Sequence, residues 1–141
     1  FLITGAAGFI GAHLGVELAR AGHTVHGVDV FNHYYDPAVK HARLQALWAP
    51  LGLHCEAMDL CSPGALDQWL GRHPVDQVIH LAGQPGVRHS MVDPYAYVQS
   101  NVMGHLTMLE LARNIRSLRL FVYASTSSVY GFSHALRPKR D

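Results

Sequence analysis

One turn constrains this chain more than any other feature. The apolar run Phe1–Thr4 is cut off by Thr4-Gly5-Ala6-Ala7-Gly8-Phe9-Ile10-Gly11. Helical spacing then sets in at Ile10, Leu14, Leu18 and Ala21 and stops at Gly22. A glycine triplet alone carries little weight. Set between a strand and a helix, and followed by a second strand ending in an acid about 20 residues on, it reads as a dinucleotide-binding βαβ unit. Gly5 permits the tight turn, Gly8 the close approach of a pyrophosphate, and Gly11 the packing of helix on strand. The helix start at Phe9 and Ile10 offers free N–H groups and a positive dipole end to phosphates. The acid is Asp29. Its carboxylate can accept both adenosine ribose hydroxyls and repels a 2′-phosphate, which favours NAD over NADP.

The rest of the chain alternates strand and helix. Strands are expected at Thr24–Asp29, Leu53–Met58, Val75–Ala82 and Leu118–Ser125. Pro37–Trp48 reads as a helix capped by Asp36, and Pro63–Leu70 as a short helix capped by Ser62. Asp93–Asn114 reads as one long helix opening at Pro94. Such βαβα order with near-continuous apolar strands predicts an α/β fold, a doubly wound parallel sheet of Rossmann type. Ligands are then expected beyond the carboxyl ends of the strands.

Composition narrows the function classes. Hydrophobic residues make up 49% and charged residues 15%, with a net charge of +1, so no electrostatic footprint for nucleic acid or an anionic membrane is present. The apolar runs are strand-sized and no signal-peptide pattern opens the chain, which points to a cytoplasmic protein. Cys55 and Cys61 fit no redox or zinc spacing. The eleven histidines are scattered without a ligand motif, so no metal is expected.

Several further segments resemble the extended short-chain dehydrogenase/reductases, the NAD-dependent epimerase/dehydratase family. The glycine spacing is Gly-x-x-Gly-x-x-Gly, and Asp59-Leu60 after the third strand resembles the family's adenine-contacting acid. His80-Leu81-Ala82-Gly83 is similar to the turn that lines the cofactor, and Asn101 falls where the family has a supporting asparagine. Tyr123-Ala124-Ser125-Thr126-Ser127-Ser128-Val129-Tyr130-Gly131 resembles the segment carrying the catalytic hydroxyl. By that resemblance Thr126 is the catalytic group, Ser125 a cofactor contact, and Ser127 and Ser128 substrate contacts. Hydroxyls at a strand end also commonly cap turns, so any of the four admits that reading.

Two stretches narrow the resemblance to enzymes acting on UDP-glucuronate at C4: Asp29–Pro37, and Ala82-Gly83-Gln84-Pro85-Gly86-Val87-Arg88-His89-Ser90. Arg88 suits the substrate carboxylate, or alternatively a local acid or the cofactor phosphates. Related dehydratases and decarboxylases place an acid just after the catalytic threonine, where this chain has Ser127-Ser128. The implied reaction is 4-epimerisation of a UDP-sugar with NAD. UDP-galactose epimerisation, UDP-glucuronate decarboxylation and an inactive NAD-binding module are the alternatives. The family's Tyr-x-x-x-Lys pair is absent from residues 1–141. The 141 residues are therefore expected to be the N-terminal, incomplete part of the NAD-binding domain, inactive alone, from a protein that dimerises through its long helices.

Overall fold

The computed structural model describes residues 1–62 and 64–131. Five strands alternate with helices: β1 (Leu2–Thr4), α1 (Phe9–Arg20), β2 (His26–Asp29), α2 (Pro37–Leu47), β3 (Cys55–Ala57), α3 (Ala65–Leu70), β4 (Gln77–His80), α4 (Pro94–Tyr97), α5 (Gly104–Asn114) and β5 (Leu120–Tyr123). All pairings are parallel, and the strand order is β3-β2-β1-β4-β5. The order reverses between β1 and β4, the expected doubly wound topology with its switch point there.

Each face of the sheet has its own core. On one, Ile3, Val16, Val25 and Trp48 pack with Leu44 and Leu47, so α1 and α2 cover that side. On the other, Leu2, Val28 and Val78 meet Leu66, Trp69, Met108 and Leu111 of α3 and α5. Period-2 alternation along β1 sends Leu2 and Ile3 to opposite layers. Trp48 is wedged where Gly15 and Gly27 leave room, since a Cβ at either would overlap its ring. Its indole N–H donates to the Ala12 carbonyl at 2.8 Å.

The helix ends follow local chemistry. Gly22 (φ +86°) closes α1: its N–H bonds the Ala19 carbonyl and that of His23 the Leu18 carbonyl, the two bonds of a Schellman end. Asp36 caps α2 through the Ala38 N–H, as expected. Three expectations need correction. β1 and β2 end at Thr4 and Asp29 as expected but begin one and two residues later, whereas β3, β4 and β5 are shorter at both ends than their apolar runs. Ser62 does not cap α3; Gly64 holds that position with no side-chain cap, and Pro63 lies outside the described residues. The long helix is not uniform: α4 passes into a π-helical segment, Val98–Met103, before α5 begins. Its start is right, with Asp93 accepting from the Ala96 N–H at 3.1 Å.

Candidate cofactor and active site

Because all five strands run the same way, the loops that follow them converge on one edge of the sheet. The glycine turn leaves β1 there, Asp29 ends β2, Asp59-Leu60 follows β3, Leu81-Ala82-Gly83 follows β4, and Ser125–Ser128 follow β5.

Gly5 sits at φ +69°, and a Cβ there would lie 2.8 Å from the Ala82 nitrogen. At Gly5 the turn therefore meets the loop after β4 through bare backbone. Gly8 is the N-cap of α1, with no side chain closing the helix end. A Cβ at Gly11 would meet Ala6 Cα at 2.9 Å, which fits its role in seating the helix. The amides of Ala6, Ala7 and Gly8 are used inside the turn, bonding Val28 O, Asp29 Oδ2 and Gly5 O. The next amides, at Phe9 and Ile10, open the helix and have no intrahelical partner. Both side chains are exposed. Such an end attracts an anion.

Asp29 is buried and heavily engaged. Oδ1 accepts from Phe31 N–H at 2.9 Å and from Lys40 Nζ at 2.7 Å, and Oδ2 accepts from Ala7 N–H at 3.1 Å. A carboxylate offers about four acceptor positions. One on Oδ2 is left, so Asp29 cannot accept both ribose hydroxyls in this arrangement. Lys40, a residue the sequence reading missed, shares the burial of its partner, at 8% against 4% side-chain exposure. The signal was there: Lys40, Leu44 and Leu47 lie at i, i+4 and i+7, so the lysine belongs to the inward face of α2. Arg43 Nη1 donates to the Ala7 carbonyl at 2.6 Å, which ties α2 to the glycine turn a second time. After β3, Asp59 is exposed and accepts from Cys61 N–H, while Leu60 is in the core. The Cys55 thiol is pushed up to about 12, first by burial and then by the Asp29 charge, with Lys40 opposing.

The loop after β4 is fixed from two sides. Thr4 Oγ1 meets His80 Nδ1 at 2.7 Å and accepts from the Ala82 N–H at 3.2 Å. Burial, and then the neighbouring His105, lower the His80 imidazole to about 4, so it is neutral at ordinary pH. Asn101 projects from the π segment: Oδ1 accepts from Gln84 N–H at 2.6 Å and Nδ2 donates to Gln84 O at 3.1 Å. This amide acts as a substitute strand neighbour for one loop residue. Gln84, part of the Ala82–Ser90 stretch but not one of its candidate contacts, is 6% exposed.

At the fifth strand the hydroxyls are exposed. Thr126 caps the turn Ser127–Tyr130, accepting from Ser128 N–H and donating to Ser128 Oγ, both at 3.2 Å. Its hydroxyl thus has a local structural task as well as access to the edge. Arg88 stands on an exposed turn, Val87–Met91, and makes no salt bridge among the described residues. Among the described residues no three His, Cys, Asp or Glu side chains group as for a metal ion, and no helix is long and apolar enough to cross a membrane.

Known proteins share this architecture and much of this sequence. The chain is 42% identical over 132 residues to UDP-glucuronate 4-epimerase 3 of Arabidopsis thaliana, covering 94% of the chain and 30% of that protein. It is 43% identical over 131 residues to a probable UDP-glucuronate 4-epimerase of Rhizobium meliloti, covering 93% of the chain and 38% of the relative. Among solved structures, a variant of UDP-glucuronic acid 4-epimerase from Bacillus cereus, in complex with UDP-4-deoxy-4-fluoro-glucuronic acid and NAD, superposes with a TM-score of 0.82. The identity is 36%, over 97% of this chain and 45% of that one. The chain thus spans about a third of the length of such curated relatives. The family match runs over residues 1–141 without a break, and the chain belongs to the NAD dependent epimerase/dehydratase family.

Proposed function

We propose that these residues are the N-terminal, cofactor-holding part of an NAD-dependent UDP-glucuronate 4-epimerase. The observation that carries the reading is the shared edge: a glycine turn bonded to the acid of β2, packed by bare backbone on the loop of β4, and flanked by the hydroxyl segment of β5. NAD fits the residues present. The open end of α1 suits its pyrophosphate, and the remaining acceptor of Asp29 suits one adenosine ribose hydroxyl. The second hydroxyl falls to the Lys40 ammonium beside it. Asp59, Leu60, Leu81, Ala82, Gly83 and Ser125 line the remainder, with Asn101 holding the β4 loop.

When bound, the cofactor takes up a hydride from the sugar C4 and returns it. The chain's own part is positional. Thr126 holds the C4 oxygen and moves its proton, while Ser127, Ser128 and Arg88 receive the sugar carboxylate. The protein is read as a cytoplasmic homodimer joined through its long helices, with a UDP-sugar as substrate and no nucleic-acid partner.

The deciding experiment supplies UDP-glucuronate and NAD to the protein as its gene encodes it. UDP-galacturonate is the expected product, with no net change in NAD. Conversion of UDP-glucose or UDP-galactose alone refutes the substrate.

A further inference from the structure

The strands β2 and β4 stand on either side of β1, so the loops that leave them can meet only by crossing over the carboxyl end of β1. They do meet. Asn32, beyond β2, donates from Nδ2 to Oε1 of Gln84, beyond β4, at 2.9 Å across 52 residues of sequence. The acceptor is held in place. Gln84 is buried, its backbone N–H and C=O are both bonded to Asn101, and its Nε2 is turned towards the Pro85 carbonyl at 3.4 Å. A second contact lies beside the first. Tyr34 rests on Gly86, where any Cβ would overlap its hydroxyl, and its ring lies 5.0 Å from that of His89.

A dinucleotide reaching from Asp29 on β2 to Ala82 on β4 spans the same end of β1. We propose that the Asn32–Gln84 hydrogen bond is a retention bridge, and that the two residues are positioning residues which slow release of the reduced cofactor. The inference rests on the epimerase reading, whose chemistry gives it a purpose. Oxidation at C4 would move a hydride with its electron pair to NAD and the hydroxyl proton through Thr126 to solvent, leaving a keto sugar and NADH. The same hydride must then return to the same carbon. NADH that departs in between strands the sugar as a ketone, and the next turnover lacks a hydride source.

The test measures NADH release from the protein as its gene encodes it, by rapid filtration after a chase with excess NAD. The proteins compared are the wild type, Asn32→Ala, Gln84→Met and the double variant. Gln84→Met keeps the backbone bonds to Asn101, and Asn32 lies in a loop, so both variants keep the fold. Each single variant is expected to release NADH roughly tenfold faster, the factor one hydrogen bond can supply. The double variant is expected to be no faster than the faster single. The cofactor-free protein is expected to melt only a few degrees lower, as the loss of one hydrogen bond requires, and still in a single cooperative transition, which a general structural defect would not allow. Release at the wild-type rate in both single variants overturns the bridge, and so does a double variant whose effect is the product of the two. A wild-type protein that holds NADH but converts no UDP-sugar overturns the epimerase reading and leaves the bridge standing. One that holds no NADH overturns both.

Discussion

Asp29 and Lys40 form the most consequential side-chain pair in the molecule, because both are buried and each neutralises the other. Removing one partner of such a pair strands a charge away from water, at a cost of roughly 3–5 kcal/mol. Asp29→Leu is therefore expected to lose about that much stability in urea unfolding. Replacing both residues, as Asp29→Leu with Lys40→Met, is expected to recover most of it, and an additive loss would refute the coupling. Calorimetry with NAD and NADP should show Asp29→Leu binding NAD more weakly and discriminating less between the two. Thr126 poses the opposite problem, an exposed hydroxyl that already caps a turn. Thr126→Ala is expected to lower turnover about 10²-fold, the scale of a positioned proton-transfer group, while NAD affinity holds. An unchanged rate would leave the hydroxyl with its cap alone. The acid could be read from the sequence because its place at the end of β2 is set by local spacing. Its partner is harder to read, because charge alone suggests solvent and only the spacing of Lys40 with Leu44 and Leu47 argues for the inward face.

Among the elements, the helical stretch from Asp93 to Asn114 departs most from its sequence. Val98–Met103 contains neither Gly nor Pro, so nothing local marks the π segment. The visible cause is tertiary: Asn101 must reach both backbone groups of Gln84, and a widened turn is one way to aim it. Asn101→Ala leaves that N–H and C=O without partners. It should cost roughly 1–3 kcal/mol in stability and weaken NAD binding in titration. The β4 element carries a pH signature as well. The unfolded chain takes a proton on His80 near the ordinary histidine value, whereas the folded one resists until about 4. The stability this supplies is fully present above about 6.5 and is lost as pH falls towards 4. Unfolding free energies measured between those limits should fall less steeply in His80→Asn, which keeps an acceptor for Thr4. An identical slope would remove His80 as the titrating group.

At the scale of the whole molecule, strand order and the location of the site could be read in advance. Alternating elements and right-handed crossovers leave few topologies, and a parallel sheet gathers its loops at one edge. How those loops bond to one another could not be read, since Asn32 with Gln84 and Gly5 with Ala82 are contacts between distant segments. The general base of the family's chemistry, the Tyr-x-x-x-Lys pair, does not occur in residues 1–141. Expressed alone, those residues are expected to convert no UDP-sugar, and any product in a chromatographic assay would contradict this.

The two buried tryptophans also fall one to each layer, Trp48 on the side of α1 and α2 and Trp69 on the side of α3 and α5. The molecule therefore carries a separate intrinsic fluorophore for each half of its interior. Trp69 stacks on His73 at 4.2 Å, whereas the Trp48 indole bonds a backbone carbonyl. Emission from the two layers should consequently diverge as the protein unfolds, since one indole loses an imidazole stack and a carboxylate partner and the other a backbone carbonyl. Single Trp→Phe variants would turn that divergence into a layer-by-layer optical record of how the sheet is uncovered.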